Sequence, residues 1–237
     1  MKKFAVCFSG YPRFIKESFP NIKENFLDGL GEFDIFANLQ WSENWETQRI
    51  HHESNKNYTE NELENFKNLY GEVGIKKLKI NNPFEFDTTF YDKISEDPSL
   101  PINIEQSRDI LYRFKSQYQG ILDCVGLVDN PSEYEYFIRV RTDLIFKNKL
   151  DLSNFKSTSV INQDGFCAGF DRAYSDWFFI VPTVELSFFE SLANVEDHFR
   201  DGIIHMHKII EKLKSHHPIE HAELGVRTPS TEGLINI

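Results

Sequence analysis

Three charged residues, Arg139, Arg141 and Asp143, alternate in the run Tyr136-Phe137-Ile138-Arg139-Val140-Arg141-Thr142-Asp143. On an extended strand that spacing puts them on one face, with Ile138, Val140 and Leu144 on the other. Charges along an apolar strand are costly to bury unless they are paired or put to use. Guanidiniums grip phosphate oxygens in pairs, and a carboxylate can hold a hard divalent cation. The run therefore reads as an anion or metal site at the end of a strand, or as a buried Arg–Asp structural network. A second candidate, Ser9-Gly10-Tyr11-Pro12-Arg13, closes the first apolar run. Gly10 lets the backbone approach a ligand closely. An ordinary strand-to-helix turn with Arg13 in solvent is the alternative. Residues 165–177 mix Gly, aromatic and acidic types, including Asp171 and Asp176. Aromatic faces beside carboxylates suit a sugar; a loop in which Asp171 caps turn N–H groups is the other reading. His216, His217, Glu220, His221 and Glu223 cluster without the HExxH spacing of a zinc helix, which favours a solvated loop. His51 and His52 read as surface residues, and Cys7 as a buried small hydrophobe. Cys167 has no adjacent His and gives little support to a thiol nucleophile.

These residues need a scaffold. Phe4–Ser9 is a short continuous apolar run, which predicts a strand buried on both faces, as in a parallel sheet. Phe14–Leu30 carries apolar residues at helical spacing, with Pro20 marking a kink or a late start. Phe33–Trp41 predicts a second strand, so the chain opens as a βαβ unit. Further expectations are a loop over Ser42–Tyr58, a helix over Thr59–Tyr70 opened by a Thr59-x-x-Glu62 capping box, and a strand over Ile75–Ile80. Asn81–Pro101 reads as irregular, and Asn103–Val125 as the longest helix. Strands follow over Tyr136–Phe146, Thr158–Gln163 and Trp177–Val181, then helices over Val184–Phe199 and Gly202–Ser215 and a loop-like tail from His216. The expectation is one α/β domain over residues 1–237 with a mostly parallel central sheet flanked by helices.

The 237 residues suit such a domain, and 22 Phe, 9 Tyr and 3 Trp supply a large core. Acids exceed bases 37 to 26, for a net charge of −11. That balance excludes nucleic-acid binding through a general basic surface, though a local basic cluster can still grip a diphosphate. Three Cys without CxxC spacing fit a reducing compartment. No apolar run approaches the roughly 20 residues of a membrane span, and Phe4–Phe8 is too short for a signal-peptide core, so a cytoplasmic location is expected. GxxxxGK[ST] is absent and no GxGxxG follows a strand, which disfavours ATPases, kinases and NAD enzymes.

Together, Ser9-Gly10-Tyr11-Pro12-Arg13, the segment Phe33–Trp41 and Arg139-Val140-Arg141-Thr142-Asp143 resemble the nucleotide-sugar-dependent glycosyltransferases of the GT-A fold. More narrowly they resemble the bacterial and viral lipopolysaccharide- and capsule-synthesis (WavE-like) group. The resemblance covers the first two-thirds of the chain. It implies a GT-A-like sheet and transfer of a sugar from a nucleotide diphosphate sugar to a glycan or lipid-linked saccharide, in polysaccharide biosynthesis. Residues 1–146 would form the nucleotide-sugar-binding part and 147–237 the acceptor part. Implied donor contacts are Ser9, Gly10, Tyr11, Arg13, Gln106, Arg139, Arg141 and Asp143, with Arg108 and Lys115 further along the helix of Gln106. A solvated helix face explains those last three equally well. An inverting transferase needs a carboxylate base for the acceptor hydroxyl, and Asp171, Asp176 and Glu223 are the candidates. In the resembled fold an Asp-x-Asp pair holds Mn²⁺ or Mg²⁺ on the diphosphate. Here Arg141 replaces the first Asp and Asp143 alone remains as a metal ligand, so the arginines could supply the charge directly. The alternatives are a nucleotidyltransferase acting on sugar phosphates, which should carry a longer Gly-rich basic loop after the first strand, and a non-catalytic nucleotide- or glycan-binding module.

Overall fold

Phe4 to Phe8 are each no more than 1% exposed, so the opening apolar run is covered on both faces, as its lack of alternation implied. In the computed structural model it forms β1 (Lys3–Gly10). The structure describes residues 3–41, 61–82, 104–152, 155–167, 170–200, 206–222 and 226–227. Only the backbone is described for 104–113, 163–167, 170–176, 196, 199–200, 206–207, 221–222 and 226–227. The further strands are β2 (Glu32–Gln40), β3 (Ile75–Asn81), β4 (Tyr136–Val140), β5 (Ile145–Phe146), β6 (Val160–Cys167), β7 (Phe170–Pro182), β8 (Ile219–Ala222) and β9 (Val226–Arg227). The helices are α1 (Ile15–Asn25), α2 (Glu62–Val73), α3 (Ile104–Val125), α4 (Ser187–Ala193), α5 (Val195–Arg200) and α6 (Met206–Leu213).

Seven strands make one sheet in the order β3-β2-β1-β4-β7-β6-β8, and β5 pairs with β9 in a separate ribbon. β7 is antiparallel to both its neighbours, and every other pairing in the large sheet is parallel. The mostly parallel α/β architecture is the one the sequence implied. The chain runs outward from β1 through β2 to β3, then returns to place β4 on the other side of β1. The order therefore reverses between β1 and β4, and a crevice opens at such a switch point beyond the carboxyl ends of the strands.

Side-chain parity assigns the two faces. Phe4, Val6, Phe8, Ile138 and Val140 pack with Ile15, Ile22, Phe66 and Tyr70 of α1 and α2. Ala5, Cys7, Phe36 and Phe137 pack with Tyr118, Ile121 and Cys124 of α3 and with Phe188 and Ile209 of α4 and α6. Burying each large apolar side chain contributes roughly 1.5–3 kcal/mol, so both layers are strongly held. Cys124 donates its thiol to the carbonyls of Phe8 and Phe36, at 3.2 and 3.5 Å. Gly29 allows a close approach: a Cβ there would lie 2.3 Å from the carbonyl oxygen of Leu150.

Several expected elements differ. The strand expected over Tyr136–Phe146 ends at Val140 and resumes only as β5. Arg141 and Asp143 therefore stand in the turn after β4, not on its face. The Phe14–Leu30 helix ends at Asn25 and gives way to a 3-10 turn at Leu27–Gly29, with Pro20 accommodated inside it. Asn61, not Thr59, is the N-cap of α2, and Glu62 instead accepts the backbone N–H of Ile15 at 3.0 Å. The helix expected over Val184–Phe199 breaks at Asn194, and that over Gly202–Ser215 is described from Met206 to Leu213. The segment before Trp177, for which no strand was expected, is the first half of β7, paired with β6. The tail expected as loop contains β8, held by parallel pairing to β6. The expectations for Ser42–Tyr58 and for residues 83–101 lie outside the described residues.

Candidate functional site

The switch point holds a cavity of about 160 Å³. Ser9, Gly10, Tyr11 and Arg13 line it from the end of β1, and Arg139, Arg141, Thr142 and Asp143 from the end of β4. Gln40 of β2 and Ser116 and Gln117 of α3 also line it. The space is smaller than the roughly 300–1,000 Å³ pockets that bury a drug-sized ligand. It suits a compact charged group, with the rest of a larger ligand extending outside.

Tertiary bonds hold the two loops together. The Thr142 hydroxyl donates to the Tyr11 carbonyl at 3.0 Å and accepts from the backbone N–H of Arg13 at 3.4 Å. Ser18 of α1 donates to the Thr142 carbonyl at 2.7 Å. The β1 loop turns sharply to make these contacts. Gly10 has φ 110°, and Phe14 occupies the left-handed region at φ 51°. For Phe14 that conformation costs about 1–2 kcal/mol. Its side chain is only 8% exposed, and burial worth roughly 1.5–3 kcal/mol offsets the strain. Opposite, Gln40 and Ser116 join β2 to α3. The Ser116 hydroxyl donates to the Gln40 amide oxygen at 3.1 Å, and the Gln40 amide N–H donates to the Ser116 carbonyl at 3.3 Å.

Arg141 meets Asp143 as a two-pronged fork: Nε to Oδ1 at 2.9 Å and Nη2 to Oδ2 at 2.6 Å. Burial raises the Asp143 pKa, but the charges of Arg141 and Arg13 and the Arg141 hydrogen bonds outweigh it, holding the carboxyl below its ordinary range. Asp143 is therefore ionised at neutral pH. The Arg141 guanidinium also lies 5.8 Å from the Trp177 ring centre. Arg139 is 1% exposed and donates to the Trp177 carbonyl. Among the described residues, three guanidiniums thus line the cavity with one carboxylate. The Ser9 hydroxyl is buried at the cavity wall with no hydrogen-bond partner among the described residues.

Of the residues singled out in the sequence, Ser9, Gly10, Tyr11, Arg13, Arg139, Arg141 and Asp143 come together here. Gln106 and Arg108 lie on the first turns of α3, where only the backbone is described, and Lys115 is not among the lining residues. Asp171 and Asp176 belong to the backbone of β7, their side chains outside the described residues, and Glu223 is outside them altogether. Gln40, Ser116, Gln117 and Thr142 were not anticipated. Uncharged polar residues carry no spacing signal; only the apolar surroundings of Gln40 at the end of a buried strand could have marked it. Tyr70 was also missed. Burial and the Asp143 charge push its phenol pKa up, and its hydroxyl has no hydrogen-bond partner among the described residues. His217, expected in a solvated loop, is buried. It bonds Glu185 at 3.0 Å through Nδ1 and the Ser191 hydroxyl at 3.1 Å through Nε2, tying the approach to β8 to α4.

The divalent cation implied by the resemblance does not fit these residues. Among the described residues Asp143 is the one carboxylate lining the cavity, and both its oxygens already accept from Arg141. Among the described residues no group of three His, Cys, Asp or Glu could hold a metal. No described helix is long and apolar enough to cross a membrane.

No family model and no curated protein matches the chain. Among solved structures it is similar to a Bacillus anthracis protein described as a glucose-1-phosphate thymidylyltransferase, in complex with a sucrose. That likeness has a TM-score of 0.48 and 9% identity, and covers 99% of this chain and 92% of that one.

Proposed function

We propose that this protein is a nucleotide-sugar-dependent glycosyltransferase that moves a sugar from a nucleoside diphosphate sugar to a hydroxyl of a glycan or lipid-linked saccharide. The observation that carries this reading is the convergence of Arg13, Arg139 and Arg141 with the buried Ser9 hydroxyl in one crevice at the sheet's switch point. In the transfer, the bond between the anomeric carbon and the diphosphate oxygen breaks, and its electron pair goes to that oxygen. Guanidiniums placed against the diphosphate stabilise the developing charge. The acceptor hydroxyl forms the new bond to the anomeric carbon and gives up its proton. In an inverting reaction Asp171, Asp176 or Glu223 takes it. Residues 1–146 bind the donor in this scheme, and 147–237 supply the acceptor side.

Thermal unfolding against UDP, GDP, CDP and dTDP and their sugars tests the proposal. At about 100 times Kd a ligand adds about 2.7 kcal/mol, which raises Tm by roughly 5–10 °C for a chain of this size. A rise confined to one base, followed by release of that nucleoside diphosphate from its sugar when acceptor is added, supports the reading. A flat response across the panel overturns it. Release of pyrophosphate from a nucleoside triphosphate and a sugar 1-phosphate would establish nucleotidyl transfer instead.

A further inference from the structure

We infer that the crevice is a metal-free diphosphate clamp, in which Asp143 positions Arg141 and does not bind a divalent cation. The inference rests on the proposed donor site. A carboxylate that binds Mg²⁺ or Mn²⁺ must turn an oxygen lone pair to the metal, and such ions are bound by oxygens, normally alongside waters and phosphates. Asp143 is 4% exposed, and each of its oxygens accepts one prong of the Arg141 fork. A cation approaching it also meets Arg13, whose charge already helps hold the carboxyl ionised. The same geometry favours an anion. A flexible guanidinium loses side-chain freedom when it grips phosphate, and a fork fixed beforehand loses less. Asp143 holds one edge of Arg141, and the Trp177 ring lies 5.8 Å from its centre. Thr142, between the pair, fixes the β1 loop that carries Arg13. The buried Ser9 hydroxyl adds a neutral donor at the cavity wall. Positive side chains and a hydroxyl thereby occupy the role that a metal would otherwise fill on the leaving diphosphate.

Calorimetric titration of the full chain with inorganic pyrophosphate, in EDTA and then in Mn²⁺, tests this without any variant. The clamp predicts equal affinity, or weaker affinity in Mn²⁺ because the metal sequesters the free anion. Tightening by about tenfold or more in Mn²⁺ overturns the metal-free clamp but leaves a donor site in place. Absence of pyrophosphate binding in both conditions overturns the clamp and the donor-site reading together. Asp143→Asn then tests positioning by sign. It removes a negative charge, so if Asp143 only balances charge, pyrophosphate binds more tightly. If Asp143 orients Arg141, binding weakens about tenfold despite the more favourable charge. Tighter binding by a folded Asp143→Asn protein overturns the positioning role. Should that variant fail to fold, Arg141→Lys keeps the charge and loses the fork; affinity equal to wild type would overturn the role, and a loss of about tenfold would support it.

Discussion

Two charged clusters sit near opposite ends of the same strands, each built on one carboxylate, and they differ in whether a cavity adjoins them. Near the amino ends of β1, β2 and β3, Lys3, Lys76 and Tyr134 all converge on one oxygen of Asp34, at 3.0, 2.9 and 2.6 Å. Lys76 also donates to the Tyr134 hydroxyl at 3.0 Å. At the carboxyl ends Arg141 takes up Asp143, while Arg13 and Arg139 line a cavity. The first cluster ties strand starts together. The second supports a space. Counting charges would rank the two alike, and only the cavity beside the second separates a fastening from a candidate binding site.

The largest expected effect comes from Arg141→Ala. It leaves Asp143 buried without its fork, a loss of the order of 3 kcal/mol. Tm should fall by roughly 6–12 °C, and pyrophosphate binding should disappear. Adding Asp143→Ala to that variant should restore much of the Tm but none of the binding. Unchanged binding in Arg141→Ala would erase the distinction between the clusters. Next in size is Asp34→Ala, which should lower stability in urea unfolding by about 1 kcal/mol, as exposed ion pairs contribute little, and leave pyrophosphate affinity unchanged. A fall in affinity there would mean that the two ends are coupled. Ser9→Ala should weaken pyrophosphate by about fivefold, the worth of one hydrogen bond, with no loss of Tm because the hydroxyl has no described protein partner. A drop in Tm with unchanged affinity would show Ser9 to be structural.

Acid sharpens the comparison least. Burial raises the Asp34 pKa, but bonds from Tyr134, Lys76 and Lys3 outweigh it and bring it down to about 2. A folded pKa below the unfolded one gives stability that is present above the unfolded value, about 3.9, and is lost as pH falls through the folded value. Asp143 is lowered as well, so its contribution has the same sign. Stability should therefore begin to fall below about pH 4, and Asp34→Ala should flatten the part of that fall between about pH 4 and about pH 2. An acid-unfolding profile identical to wild type would show that the Asp34 cluster contributes nothing.

Much of the scaffold was legible because continuous apolar runs mark doubly covered strands: β1 and β2 end within a residue or so of where Gly10 and Trp41 implied. The end of β4 was not. Arg141-Thr142-Asp143-Leu144-Ile145-Phe146 continues the alternation of a strand, and the strand stops because Thr142 finds Tyr11, 131 positions away. Local pattern cannot register so distant a partner. β8 was illegible for another reason. Ile219-Glu220-His221-Ala222 is short and polar, and it is a strand because β6 offers it an edge. In the site, charged and glycine positions stood out against apolar neighbours, whereas Gln40, Ser116 and Thr142 act through uncharged bonds between distant segments.

Cys7 and Cys124, one on β1 and one on α3, meet inside the layer that backs the crevice. Each is no more than 1% exposed, and the hydrogen bond that the Cys7 thiol makes to Cys124, together with burial, keeps that thiol well above its ordinary pKa. A thiol reagent can reach them only when α3 lifts from the sheet, and exchange of this kind measures the free energy of such an opening. The pair is thus a built-in clock for the wall behind the crevice: a ligand that grips both β1 and β4 should slow its labelling, with no probe placed near the site itself.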